Sequence, residues 1–158
     1  MSDISPLIID SFTEEYSFLS NFYPCRVFYE GMEFPTAEHA YQAQKTTSTI
    51  DRETIAMLET PGQAKRFGSK EVTLRPDWES IKIRIMHEVL LSKFLNNPEL
   101  KQKLLDTGTI YLEEGNNWGD RYWGTVAGKG KNMLGLLLME VRMTLAGGWL
   151  EVTVGRNV

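Results

Sequence analysis

The chain is poor in the features that mark several large protein classes, and each scarcity removes one. A single cysteine, Cys25, among 158 residues cannot close an internal disulfide, which excludes the stapled folds of small secreted domains. Histidine occurs only at positions 39 and 87, and His87-Glu88 is not followed by the second histidine of a helical zinc-protease site. The longest apolar segment, MLGLLLM at 133–139, falls far short of the ~20 residues a membrane helix needs. The opening MSDISPLIID has neither the basic region nor the apolar stretch of a secretory signal, so a cytoplasmic location without membrane association is expected. A net charge of −4 supplies no global basic field, which favours a small-molecule ligand over a broad nucleic-acid surface. Repeats, charge blocks and Ser/Gly-rich linkers are absent, and 158 residues suffice for one domain that removes roughly two-thirds of its unfolded surface from water. A single domain spanning 1–158 is therefore expected.

What is present reads as an α+β chain, largely helical, with a small antiparallel sheet. LIIDSF at 7–12 and CRVFYEGMEF at 25–34 carry the β-branched and aromatic residues of strands, with Glu30-Gly31 as a turn. Helices follow. Thr60-Pro61 has the form of an N-cap and a first-turn proline, with Gly68 closing that helix. Asp77 is the expected cap of a longer helix from Trp78 through Phe94, in which Trp78, Ile81, Ile85, Val89 and Leu90 recur at helical spacing until Asn97-Pro98. A last helix is expected over about 132–146, ending at Gly147-Gly148. The tail WLEVTVGRNV, 149–158, reads equally as an edge strand or a frayed end.

TAEHAYQAQK, 36–45, is a helix start with an unusual stripe of Glu38, Tyr41, Gln42 and Lys45. At about 100° per residue, Glu38 and Lys45 point within roughly 20° of each other, about 10 Å apart along the axis. They could flank a ligand or face water. Ala37, Ala40 and Ala43 permit close packing on the other sides, which suits a helix held inside a fold. His39 points away from the stripe and reads as a hydrogen-bonded structural histidine. Cys25 reads as a small buried hydrophobe. Trp78, Lys82 and Met86 share one helix face, and Lys82 is its odd member.

Two further segments are candidates for a site. GTVAGKGKN, 124–132, lacks the spacing of a nucleotide P-loop or a dinucleotide fingerprint. Even so, Gly128, Lys129, Gly130, Lys131 and Asn132 before a helix would offer free backbone N–H groups and cations to a phosphate, unless the segment is simply a solvated loop. EEGNNWGDRYWG, 113–124, is too polar and glycine-rich for a core element; Trp118 and Trp123 either stack on a ligand beside Glu113, Glu114 and Asp120 or plug the core. FLSNFYP, 18–24, sets the hydrogen-bonding Asn21 beside Phe22.

In order, FLSNFYP, FPTAEHAYQAQK, QAKRFG, the Trp78 helix, LLDTG, LEEGNNWGDRYWG and GKGKNMLGLLLMEVR resemble the NADAR, or YbiA-like, family from about residue 12 to 145. The resemblance implies a largely helical α+β domain binding ADP-ribose-like or ribosyl-phosphate ligands, with N-glycosidase activity and no metal or redox cofactor. Its substrates would be phosphoribosyl intermediates of riboflavin synthesis or, alternatively, ADP-ribosylated guanine, including guanine in nucleic acid; a non-catalytic ADP-ribose-binding module is the remaining alternative. Motif by motif, the resemblance points to Asn21, Glu38, Lys45, Glu114, Asp120 and Trp123, with Phe22, Tyr41, Trp118, Gly128, Lys129, Gly130 and Asn132 as further ligand contacts. It also implies that Lys45 attacks the anomeric carbon and opens the sugar to a Schiff base. A free lysine is almost wholly protonated near pH 7, so burial or a cationic neighbour must lower its pKa.

Overall fold

The computed structural model describes residues 8–147, so the 149–158 tail lies outside the described residues. The chain forms two compact units: a contiguous one, Asn21–Pro98, and one assembled from the residues flanking it on both sides. The α+β, helix-dominated class expected from the sequence is what forms.

The contiguous unit opens with the hairpin β2 (Val27–Tyr29) and β3 (Met32–Phe34), paired antiparallel with Val27 opposite Phe34. Glu30 and Gly31 both have positive φ, 46° and 79°, as a two-residue hairpin turn whose twist matches its strands requires. Helix α1 (Ala37–Ala43) follows, capped by Thr36, whose hydroxyl accepts from the His39 N–H. All seven of its residues are buried, because α2 (Thr49–Met57), α3 (Pro61–Lys70), α4 (Trp78–Leu95) and the hairpin all pack on it. The alanines at 37, 40 and 43 have no exposed surface, which is how a single helix takes neighbours on every side.

Thr60 and Gln63 form a full capping box at the start of α3. Two expectations nearby fail. Gly68 does not close α3, which runs on to Lys70 with Gly68 buried inside it. Asp77 does not cap α4 through its side chain, because its carboxylate is engaged by the Arg75 guanidinium at 2.6 Å.

The second unit contains the third correction. LIIDSF does not join the hairpin; β1 (Ile8–Ile9) pairs in parallel with β4 (Tyr111–Leu112). A short 3-10 helix (Glu14–Leu19) and α5 (Pro98–Asp106) precede β4, and α6 (Met133–Gly147) packs on it. The buried Arg142 of α6 donates to Thr107 Oγ1 and to the Ile110 carbonyl, fixing the turn that leads into β4. No helix among the described residues is long and apolar enough to cross a membrane.

Candidate active site

In the contiguous unit, Asn21, Glu38, Tyr41 and Lys45 are assembled on and around α1. The Glu38 N–H donates to the Asn21 carbonyl, and the Asn21 side-chain amide reaches Met86 Sδ of α4 at 3.5 Å. The other Asn21 side-chain atom, Oδ1, is buried with no hydrogen-bond partner. Tyr41 packs on Trp78 with ring centroids 5.1 Å apart, so the Trp78 face of α4 meets the polar stripe of α1. Phe22 stands exposed beside Asn21.

Lys45 lies just past the end of α1, and its backbone is held on both sides: its N–H donates to Gln42 O and its carbonyl accepts from Arg75 N at 2.8 Å. The side chain is half-buried, with Nζ 5.9 Å from the centre of the Tyr41 ring. Burial holds the Lys45 pKa below the ordinary lysine value; Glu38 opposes this and the positive charges of Lys65 and Lys82 reinforce it. Lys82, the odd member of its helix face, thus acts on Lys45 while its own ammonium meets Glu79 at 2.6 Å.

His39 is structural, as expected. Its Nε2 faces the Leu58 carbonyl at 3.0 Å, which requires a proton there, so Nδ1 accepts from the Thr36 hydroxyl at 2.7 Å. Burial pushes its pKa down. Cys25 is not the buried hydrophobe expected: it is half-buried in a shallow depression with Arg26, Glu33, Phe34 and Pro35.

Glu114, Asp120, Trp118, Trp123 and residues 128–132 belong to the other unit, where the loop between β4 and α6 uses its polar side chains on its own backbone. Asp120 Oδ1 accepts from the Tyr122 and Trp123 N–H groups at 3.0 and 2.9 Å. Asn116, which the sequence did not single out, ties the loop together: Oδ1 accepts from Asp120 N, and Nδ2 donates to the carbonyls of Asp120 and Thr125. Trp123 is half-buried and edge-on to Tyr122, whereas Trp118 is 61% exposed.

The structure limits the expectation that GKGKN presents free N–H groups to an anion, since those of Lys129, Lys131 and Asn132 are taken by backbone carbonyls. The N–H groups of Lys131, Asn132, Met133 and Leu134 donate to the carbonyls of Arg121, Gly124, Tyr122 and Trp123, at 2.7 to 3.2 Å, so the start of α6 is filled by its own loop. Gly128 and Gly130 have φ of 78° and 148°, and serve the turn. Nor does Asn132 offer its amide to a ligand. It is buried, donating to the Leu112 carbonyl and accepting from the Glu114 N–H, and so completes the edge of β4 opposite β1. Lys129 and Lys131 remain exposed, Lys131 over the Tyr122 ring at 5.5 Å. Among the described residues, no group of three His, Cys, Asp or Glu side chains is placed to hold a metal ion.

Comparison with known proteins places this geometry in context. The NADAR domain model matches residues 9–146. N-glycosidase YbiA of Escherichia coli is 41% identical over 138 residues, which is 86% of each chain. An N-glycosidase of Nostoc punctiforme is 38% identical over 134 residues, covering 82% of this chain and 85% of that one. A riboflavin biosynthesis protein of Vibrio vulnificus is 38% identical over 134 residues, which make up 84% of this chain and 36% of that longer protein. The NMR structure of E. coli YbiA superposes with a TM-score of 0.80 over 94% of this chain and 90% of that one, at 38% identity.

Proposed function

The chain belongs to the NADAR family and is an N-glycosidase, and from that premise we propose that it hydrolyses the C–N bond joining a phosphorylated ribosyl unit to its base, with Lys45 as the nucleophile. The observation that supports this reading is the state of Lys45: a half-buried amine with a lowered pKa, anchored through its backbone and within electrostatic reach of Glu38. A nucleophilic lysine must be neutral, and burial supplies that bias even against the opposing carboxylate.

The Lys45 lone pair forms a bond to the anomeric carbon while the C–N bond to the base breaks; the base leaves with the bonding pair and takes a proton. The Lys45 nitrogen, an ammonium after attack, loses a proton, equivalent to the one the base takes; its restored lone pair then closes a cationic C=N bond as the ring C–O bond breaks, and the ring oxygen keeps that bonding pair and takes a proton from solvent. Water adds to the iminium carbon and returns a proton to solvent, the remaining hydroxyl proton passes to nitrogen as the C–N bond to Lys45 breaks and C=O forms, and the free amine and the sugar are released. Glu38 opposes the neutral amine at the start but favours the iminium cation that follows, so its net effect is on the intermediate. Glu114 and Asp120 lie in the other unit, and no step is routed through them.

For the substrate we favour a small ribosyl phosphate linked to an aminopyrimidine, on the strength of the relative named for riboflavin biosynthesis. ADP-ribosylated guanine is the second reading, supported by the exposed run of Lys65, Arg66 and Lys70 on α3. Incubation with a phosphoribosylaminopyrimidine and, separately, with ADP-ribosylated guanosine, each with borohydride present, tests both points. The expected result is base release from the first and a reduced glycosyl adduct on Lys45. An active Lys45→Arg protein together with an unmodified wild type would overturn the covalent mechanism, because arginine is not neutral near pH 7.

A further inference from the structure

Glycine is unfavourable inside a helix relative to alanine, so a buried one is retained where a missing side chain admits a neighbour. In α3 that neighbour is Gln42 of α1. A Cβ placed on Gly68 would lie 2.1 Å from Gln42 Oε1, 2.9 Å from its Cβ and 3.0 Å from its Cδ, so no other residue fits at position 68 while Gln42 keeps its place. Gln42 is 3% exposed. Its Nε2 donates to Glu38 Oε1 at 2.9 Å, whereas its Oε1, turned to the bare face of Gly68, is buried without a hydrogen-bond partner. A buried amide with an unmet acceptor is unfavourable, because the acceptor has given up its water for nothing in return. Together the glycine and the seated amide bring the Gln42 donor to Glu38.

We propose that Gln42, seated in the slot left by Gly68, is a positioning residue that holds the Glu38 carboxylate toward Lys45. This rests on the reading of Glu38 and Lys45 as the reacting pair. A carboxylate four residues from the amide donor has several rotamers open to it, and the hydrogen bond selects one. Gly68 acts at one remove: it touches no reacting atom, but any side chain there expels the amide that does the holding.

Single variants at positions 42 and 68, and one double variant, test this. Gln42→Leu removes the donor and is expected to lower kcat about tenfold with little change in KM, the magnitude of one hydrogen bond to a charged group. Gln42→Glu keeps the shape of the side chain. Its side chain can donate to Glu38 only when the pair shares a proton, so its kcat relative to wild type is expected to rise as the pH is lowered, which a merely structural role would not produce. Gly68→Ala is expected to match the defect of Gln42→Ala, and the double variant to be no worse than either alone. Amine labelling of Lys45 across pH, read by mass spectrometry, needs no substrate: loss of the held carboxylate should move its midpoint to lower pH in Gln42→Leu. That readout stands even if borohydride shows Lys45 not to be the nucleophile, so the two ideas fail separately. A labelling midpoint that stays put, a pH-independent Gln42→Glu ratio, or additive Gly68→Ala and Gln42→Ala effects would overturn the proposal.

Discussion

Helix α1 and the loop from Glu113 to Asn132 are both crowded with polar side chains, and they dispose of them in opposite ways. In the loop, Asn116, Asp120 and Asn132 direct their side chains to backbone groups of the same unit, so the segment holds itself in shape. On α1, where the helix satisfies its own backbone, Gln42 donates to Glu38 instead, and the charge of Glu38 acts on Lys45 just past the helix end. Irregular backbone has unmet donors and acceptors that attract every nearby amide and carboxylate, whereas a helix releases its side chains for other work. Polar composition therefore marks a candidate site much less reliably in a loop than on a buried helix.

The largest effect should come from the helix. Lys45→Arg is expected to lower turnover about a thousandfold or more, close to Lys45→Ala, as measured by released base. Comparable turnover in the arginine variant would reduce Lys45 to an electrostatic contact and erase the contrast. Next is a test of the loop: Asp120→Ala should cost about 2 kcal/mol in a urea titration, since two backbone N–H groups lose a charged acceptor, and Asp120→Asn should restore most of it. A loss of turnover in the asparagine protein that outruns its stability would return Asp120 to the reacting groups.

A pH profile sharpens the helix side. Only the neutral amine attacks, so activity should climb with pH through a Lys45 pKa that lies below the ordinary 10.5. Glu38 raises that pKa, so in Glu38→Gln the climb is expected at lower pH even if the maximum rate falls; a shift to higher pH would contradict the assignment. The smallest effect should be Trp118→Ala, which at 61% exposure ought to change stability by less than about 0.5 kcal/mol, with any loss confined to KM.

Local signals were legible where the chemistry was local. Thr60 and Pro61 spelled out a helix start, Glu30-Gly31 a hairpin turn, and the alanine spacing of 37–43 a helix held inside a fold. Gly68 was misread because a terminating glycine and a glycine admitting a neighbour look identical in one dimension; only the position of Gln42 tells them apart. Asp77 was read as a cap because no local rule announces that Arg75 will claim its carboxylate. The same limit hid the fate of the end of GKGKN, where the N–H groups of Lys131 and Asn132 are taken by the carbonyls of Arg121 and Gly124, through a fold that spacing does not encode. For the site, Lys45 and Glu38 were legible from helical phase and from the family resemblance, whereas the hold on Glu38 was not.

The parallel pair β1–β4 bears on the order of events at the ribosome. Ile8 must wait for Tyr111, about a hundred residues later, before it has a partner, and closing so long a loop carries an entropic penalty that short-range contacts do not. The 21–98 unit is continuous and can gather around α1 as soon as it has left the exit tunnel, while the first residues are still without their strand. During translation the N-terminal segment is thus a stretch of apolar chain held open by its own topology, and a pause near codon 98 would prolong that exposure more than a pause anywhere after Leu112.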